Sequence, residues 1–305
     1  MTVLETRAGE PTRQIGVEDR TPAPAGDPLE PHSISTMLTR VANVAVEKAA
    51  HPLAYLVRSL AGGAMVAFGV VLALSVSAGI QSPGLASLVM GLAFGFSFVL
   101  ILVSSMSLIT ADMAAGLIAV LQKRMRIGSY LRLLAIGWTG NIVGVLVFVA
   151  VAALAGGPYL LKPFLDRAAA VAVAKSGGSA MSAILLAVLC TWFLQTAMFM
   201  YFKARSEVAR MSFAFYGPFA FVVGGTQHVI ANAGFIGLPL LIGVFYPEAA
   251  LGVAQQLSWG LGGNGLMRNF IMTTIGNFIG GTLFVAGPFY LIGYLQDRAA
   301  GEPTD

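Results

Sequence analysis

Residues 213–246 read FAFYGPFAFVVGGTQHVIANAGFIGLPLLIGVFY, a hydrophobic run interrupted at its centre by GGTQHVIAN, Gly224 to Asn232. A helix needs only about 20 residues to cross a bilayer, so the run is too long for one straight span. A second long run, Leu85 to Leu121, is interrupted in the same way by SSMSLITAD, Ser104 to Asp112. Both runs are predicted to be helices broken near mid-membrane. Such a pair is typical of a substrate site at that depth.

The composition places both runs in a polytopic membrane protein. Of the 305 residues, 57% are hydrophobic and 10% charged, whereas a soluble domain carries about 25% charged residues. Four further segments are long enough to span a bilayer: Leu56 to Gly79, Tyr130 to Gly156, Met181 to Phe202 and Phe270 to Leu295. The sequence predicts an all-α membrane protein with six transmembrane helices. Its basic residues form no face with interleaved aromatics, so no nucleic-acid partner is expected.

An internal repeat relates the two halves of the chain. Identical residues recur in register in the third and sixth segments: Gly140, Asn141, Gly144, Phe148, Val149 and Ala150 match Gly276, Asn277, Gly280, Phe284, Val285 and Ala286. With three spans in each half, the second copy must cross the membrane in the opposite direction. The sequence therefore predicts two inverted three-helix repeats. The glycines of these motifs fit close helix packing.

Charge patterning predicts the ends of the domain and its orientation. Residues 1–35 lack the apolar core of a signal peptide and are predicted to be a disordered cytoplasmic tail. Residues 36–51 are predicted to form an amphipathic interfacial helix on the membrane face, 52–296 the six-helix domain, and 297–305 a cytoplasmic tail. Lys and Arg concentrate before the first segment and after the second and fourth. This distribution places both termini in the cytoplasm.

Two side chains in the interruptions are candidates for chemistry. His228 is the one group at depth whose protonation can change near neutral pH. A histidine satisfied by core hydrogen bonds is the alternative, but an ionisable residue inside a membrane segment indicates function by default. Thr110 holds the matching place in the first interruption. It either hydrogen-bonds the imidazole or a substrate oxygen, or satisfies broken backbone.

The starts of the two new half-helices favour anions. Asp112 and Asn232 lie where each half-helix would begin and are predicted N-caps. The N-terminal ends would point their free N–H groups toward the middle of a pore, where they attract negative charge. No basic side chain lies in a segment core, and Asp112 is the only acidic one. A cation channel would need several carboxylates.

Four further residues have two interpretations each. Phe94, Phe98 and Phe221 precede the interruptions, and they are either hydrophobic constrictions above and below His228 or plain packing. Lys175 lies in the link after the third segment, on the side predicted to face outward. It either concentrates anions at a vestibule or is an ordinary solvated lysine.

Other classes of membrane protein fit less well. A neutral-solute channel for water or glycerol is the main alternative, but such channels pair Asn-Pro-Ala motifs, and this chain has Ala-Asp and Ala-Asn without proline. An enzyme would need a zinc motif, paired aspartates or a nucleophile elbow, and none is present. No catalytic residue, metal or cofactor is therefore expected. A scaffold would not need two matched interruptions that cost backbone hydrogen bonds.

Taken with these residues, the chain resembles the formate/nitrite transporter family from about Pro52 to Leu295. The resemblance lies in AGGAMVAFG (residues 61–69), FGFSFVLILVSSMSLITAD (94–112), the two Gly-Asn motifs and PFAFVVGGTQHVIANAG (218–234). The last string, with its H-x-x-A-N core, is the most specific. The resemblance implies a homopentamer with aquaporin-like architecture in a bacterial inner membrane, surrounded by lipid. It also implies one pore per subunit for small monovalent anions such as formate or nitrite, with proton exchange.

Roles carry over from the family residue by residue. His228 matches the central histidine and Thr110 the Ω-loop threonine. Phe94 and Phe98 match one constriction, Phe221 the other, and Lys175 a vestibule lysine. Departures from the family pattern occur at four positions: Phe98 stands where leucine is frequent, Ile109 where phenylalanine is common, Gln227 where glutamate often precedes the histidine, and Thr191 where asparagine is usual.

Overall fold

The computed structural model describes residues 30–249 and 256–301. Regular structure in these ranges is helical, apart from one β-bridge between Ser258 and Gly265. The α-helices in the described ranges are α1 (Ile34–Ala50), α2 (Pro52–Ser77), α3 (Pro83–Val103), α4 (Ile109–Leu121), α5 (Ile127–Ala155), α6 (Lys162–Ser176), α7 (Ala180–Lys203), α8 (Glu207–Val223), α9 (Val229–Phe245), α10 (Leu266–Gly281) and α11 (Gly287–Ala299). Most of the predicted 1–35 tail and the end of the 297–305 tail lie outside the described residues.

Five helical stretches are long and apolar enough to cross a membrane. They are α2, α3, α5, α7 and the continuous stretch Leu266–Ala299, in which a π-helical turn joins α10 to α11. Two shorter apolar helices, α4 and α9, accompany them. Large apolar side chains on outer faces are solvent-exposed, among them Phe96, Leu100 and Val151. A chain with so much uncovered apolar surface needs an apolar surrounding.

Each of the two long hydrophobic runs is divided between two helices. Residues 104–108 separate α3 from α4, and residues 224–228 separate α8 from α9. Ser105 and Gly225 have φ angles of 58° and 64°, in the left-handed region that ends a helix. Residues 107–108 and 226–228 are buried, so their backbone groups must find partners inside the protein.

The repeated glycines bring helix backbones into contact. A Cβ added to Gly144 of α5 would lie 2.0 Å from the Leu60 carbonyl oxygen of α2. One added to Gly280 of α10 would lie 2.5 Å from the Val188 carbonyl oxygen of α7. No larger residue fits at either place, so the Gly-Asn motifs do support close helix packing, as the sequence predicted.

The apolar face of α1 packs against other helices of the protein. In α1, Met37, Leu38 and Val41 are buried, and the helix packs against α4, α7 and α11. Lys48 Nζ lies 2.6 Å from Asp112 Oδ1, and Tyr55 Oη donates to Asp112 Oδ2 at 2.7 Å. The apolar side of α1 therefore packs on the protein, and the position of this helix at the membrane face stays a prediction. The buried Asp112 carboxylate needs a cation, and α1 brings one.

Candidate functional site

His228 and Thr110 meet in the interior of the molecule. Both residues are 0% exposed, and His228 Nε2 lies 3.0 Å from Thr110 Oγ1. His228 precedes α9, and its Nδ1 accepts the N–H of Ala231 at 3.2 Å. A neutral imidazole that accepts at Nδ1 carries its hydrogen on Nε2. Nε2–H therefore donates to Thr110 Oγ1, which leaves the threonine hydroxyl hydrogen free for another acceptor.

The half-helix caps differ from the prediction. Leu108 precedes α4 and His228 precedes α9, so Asp112 and Asn232 lie inside the first turns and are not N-caps. Asp112 instead binds Lys48 and Tyr55. Asn232 Nδ2 donates to the Asn269 Oδ1 at 2.9 Å and also to Gln227 Oε1. The predicted caps are not needed, because another pair of residues satisfies the first N–H of each half-helix.

These two residues are Asn141 and Asn277, the asparagines of the two Gly-Asn motifs. Asn141 Oδ1 accepts the N–H of Ile109 at 2.7 Å, and its Nδ2 donates to the carbonyls of Ser59 (2.7 Å) and Ser107 (2.8 Å). Asn277 repeats the arrangement at the start of α9. Its Oδ1 accepts the N–H of Val229, and its Nδ2 donates to the carbonyls of Ala187 and Gln227, each at 2.9 Å. In the sequence, these two asparagines stand out only as part of the internal repeat. The glycines of that repeat indicate helix packing and give no hint of this hydrogen-bonding role.

The three predicted constriction residues form one aromatic cluster. The Phe94 ring lies 5.5 Å from that of Phe221 and 5.7 Å from that of Phe98, measured between centroids. Phe221 stacks on the His228 imidazole at 5.2 Å, and Phe98 meets it edge-on at 6.1 Å. The three rings are thus in mutual contact, and the assignment of Phe94 and Phe98 to one constriction and Phe221 to another stays a prediction. Phe221 touches both phenylalanines of α3, because α8 packs along α3.

A cavity of about 360 Å³ leads to this cluster from the side of α1. Its lining includes Lys48 and Arg58 at one end and Phe98 and Thr110 deeper in. Phe94 and Phe221 are not lining residues. Phe98 therefore lies at the border between the cavity and the rest of the aromatic cluster.

Lys175 lies near the second interruption, on the other side of the cluster. Its Nζ donates to the Thr226 carbonyl at 3.1 Å and lies 5.2 Å from the centre of the Phe235 ring. Within residues 30–249 and 256–301 it forms no ion pair with a carboxylate. Burial lowers the pKa of the Lys175 ammonium to about 8. The Lys175 ammonium is thus partly buried and hydrogen-bonded to the backbone, and it is not a freely solvated lysine.

Membrane-length helices around a buried histidine–threonine pair, with a cavity lined by the threonine, are features of a helical channel or transporter. The family model described as "Formate/nitrite transporter" matches residues 35–291. The chain belongs to the formate/nitrite transporter family and is an integral membrane protein.

Curated relatives carry transporter names. The chain is 28% identical over 260 residues to a protein of Methanothermobacter thermautotrophicus named "Probable formate transporter", covering 79% of this chain and 89% of that one. It is 26% identical over 253 residues to "Nitrite transporter NirC" of Escherichia coli K12, covering 83% and 88%. These relatives are transporters and not enzymes, which agrees with the prediction from sequence.

Solved structures share the fold. A chain named "FNT family ion channel" superposes with a TM-score of 0.71 at 23% identity, covering 85% of this chain and 98% of that chain. Another, named "Pentameric formate channel with formate bound", gives a TM-score of 0.68 at 24% identity, covering 79% and 97%. The all-helical fold is therefore that of the family's channels.

Proposed function

We propose that this protein carries small monovalent weak-acid anions, such as formate or nitrite, across the membrane, and that His228 exchanges a proton with them. The observation that carries the proposal is the buried contact between His228 Nε2 and Thr110 Oγ1, in a chain of this family. The names of the relatives, formate and nitrite transporters, support this substrate class.

The proton answers an energetic problem. Moving a bare anion from water into an apolar constriction costs many kcal/mol, whereas a neutral acid loses little. The aromatic cluster around His228 is such a constriction, with Phe94 0% and Phe221 1% exposed. An anion that gains a proton crosses it as the neutral acid. His228, held at Nδ1 by the Ala231 N–H and at Nε2 by Thr110, supplies or relays that proton.

Positive charge draws the anion in. Lys175 lies beside the second interruption with no carboxylate partner in the described ranges, and an uncompensated ammonium attracts anions over a distance set by salt. The N-terminal ends of α4 and α9 add partial positive charge. Phe94, Phe98 and Phe221 then select for size and against charge.

The same proposal covers the architecture. α3 with α4 and α8 with α9 serve as two spans broken at mid-membrane, so that six spans form two inverted repeats. Five such subunits assemble, each with its own pore, in a bacterial inner membrane with both termini in the cytoplasm. The matching environments of Asn141 and Asn277 support the repeat. The similarity to a solved pentameric formate channel supports the assembly.

Uptake into proteoliposomes tests the function. We expect labelled formate and nitrite to enter protein-containing vesicles faster than empty ones, with a simultaneous change of internal pH. Hydrosulfide, acetate and lactate, measured in parallel, would rank the substrates. If the vesicles instead swell in glycerol and take up no anion, the protein is a neutral-solute channel and this proposal is wrong.

A further inference from the structure

Gln195 of α7 is a buried amide that reaches the cavity beside Thr110. It is 1% exposed, and its Nε2 donates to the Thr110 backbone carbonyl. Its Oε1 has no hydrogen-bond partner among the described residues. Gln195 and Thr110 both line the cavity of about 360 Å³. The mechanism above leaves this side chain unused.

The orientation of the amide follows from its partner. A backbone carbonyl can only accept, so the group that faces Thr110 must be the NH₂, and the free atom must be the oxygen. A buried acceptor without a donor costs free energy, and buried polar atoms are satisfied in the great majority of cases. No described protein group supplies the donor, and Gln195 lines the cavity, so a molecule that enters the cavity is the available donor.

Thr110 supplies the complementary group. Its Oγ1 accepts from His228 Nε2, so its hydroxyl hydrogen is available to an acceptor. On the cavity side of the aromatic cluster, the Thr110 hydroxyl thus offers one hydrogen-bond donor and Gln195 Oε1 offers one acceptor. A carboxylic acid presents the mirror set, a carbonyl oxygen that accepts and a hydroxyl that donates. A bare carboxylate has only acceptors, and its charge would face the negative end of the Gln195 carbonyl dipole.

We propose that Gln195 Oε1 accepts the O–H of the protonated substrate acid and so selects the neutral acid over its anion on the α1 side of the aromatic cluster. This inference rests on the proposed function, because it concerns the same permeating acid. Nitrous acid carries the same kind of hydroxyl as formic acid. No bond to hydrogen is broken at Gln195: the acid keeps its proton while it is bound there.

Two substitutions separate the acceptor from the shape of the side chain. Gln195→Met keeps the length but removes the acceptor and the amide donor. Gln195→Glu in its uncharged form keeps both functions, since a carboxylic acid can donate to the Thr110 carbonyl and still offer its own carbonyl oxygen. The matched control is Gln122→Met. Gln122 Oε1 also lacks a partner among the described residues, but Gln122 does not line this cavity.

The measurement is initial formate uptake into proteoliposomes, divided by the parent rate at each external pH from about 5 to about 8. We expect Gln195→Met to fall roughly fivefold or more at every pH, as for the loss of a neutral hydrogen bond, and Gln122→Met to stay near the parent. Gln195→Glu should regain most of the parent rate at the low end of the range. It should lose that rate as pH rises, because a buried carboxylate is costly and repels the Thr110 carbonyl.

Three results would overturn or redirect the proposal. Uptake by Gln195→Met equal to that of Gln122→Met would overturn it. So would a Gln195→Glu protein that is no faster than Gln195→Met at any pH, since an acceptor at this position would then have no effect. Size-exclusion profiles would confirm that each variant is assembled, and the Glu variant decides the matter if the Met variant does not fold. A parent protein without formate uptake would instead refute the proposed function.

Discussion

The segments 104–108 and 224–228 have the same backbone hydrogen-bonding pattern, yet only the second ends in an ionisable side chain. In both, the second residue bonds back to the helix before it: Ser105 N–H to Leu102 (3.3 Å) and Gly225 N–H to Val222 (3.1 Å). In both, the next N–H reaches a carbonyl five residues earlier: Met106 to Ile101 (3.0 Å) and Thr226 to Phe221 (3.1 Å). The fourth N–H of each segment pairs with a neighbouring helix, Ser107 with Arg58 and Gln227 with Leu186.

The difference lies at the last residue of each segment. Leu108 makes no side-chain cap, whereas the His228 imidazole accepts from Ala231 and turns its Nε2 to Thr110. This register pairs His228 with Leu108, and not with Thr110 as the sequence suggested. The two interruptions therefore share their backbone structure and differ in the side chain that ends them, Leu108 in one and His228 in the other.

The largest effect should come from the asparagines that support both segments. Asn141→Ala leaves the Ile109 N–H and the Ser107 carbonyl without these partners, and Asn277→Ala does the same to the Val229 N–H and the Gln227 carbonyl. At about 1–3 kcal/mol for an unsatisfied buried group, each should lower unfolding free energy by several kcal/mol. Melting temperature in detergent measures this. If one substitution is strongly destabilising and the other is harmless, the two asparagines do not stabilise their segments equally.

His228→Asn tests whether the last residue makes the difference. Asparagine keeps hydrogen-bonding capacity but removes the titratable proton. We expect normal assembly and a loss of pH-dependent formate uptake of about a hundredfold or more, the usual scale for removing a proton-transfer group. Uptake and internal pH should be recorded together from about pH 5 to about pH 8. A folded variant that matches the parent in rate and pH dependence would return His228 to a structural role.

Phe221 precedes the second segment at the position that Ile101 has before the first segment. The Phe221 ring stacks on His228. Phe221→Ala should widen the passage and raise acetate or lactate uptake relative to formate by several-fold, because truncation of a buried ring opens a cavity. Phe219→Ala is the control, since the Phe219 ring stacks on Phe215 and not on His228. Unchanged selectivity in the Phe221 variant would identify its ring as packing only.

Lys175→Ala should have the smallest effect, about twofold to fivefold slower uptake at low ionic strength, which fades near physiological salt as charges are screened. The control is Lys162→Ala in the same helix, where the ammonium already pairs with Asp166 at 2.7 Å. The Lys175 pKa of about 8 sets the pH dependence. The ammonium is charged below that value, so the parent should lose its low-salt advantage as external pH rises above it. Equal rates at all salt concentrations would contradict a steering role.

Local features of the molecule were predictable from the sequence, whereas most long-range contacts were not; the Thr110–His228 hydrogen bond, one of two alternatives from the sequence, is the exception. The two interruptions were visible because polar and glycine residues break hydrophobic runs, and His228 was visible because histidine is rare at such depth. Asn141 and Asn277 looked like packing residues, since their partners belong to helices far along the chain. The contact of Phe221 with both phenylalanines of α3 was not predictable for a similar reason. Spacing along α3 gives the depth of Phe94 and Phe98 but not which side of α8 they meet.

The amphipathic pattern of α1 has the same limitation. An apolar face with flanking charges fits a membrane surface and a protein surface equally well, and only Asp112, far along the chain, decides between them. Gln195 carried no signal at all in the sequence. A glutamine in a hydrophobic segment becomes informative only when one of its two polar atoms is seen to lack a partner.

The contact between Lys48 and Asp112 also bears on the order in which the protein is made. Lys48 leaves the ribosome 64 residues ahead of its partner, and until Asp112 arrives a buried ammonium would cost several kcal/mol. α1 also packs on α11, where a Cβ added to Gly293 would lie 2.8 Å from Leu38 Cδ1. Although α1 is translated before the other described helices, its contacts with α4 and α11 can form only after those helices have been made.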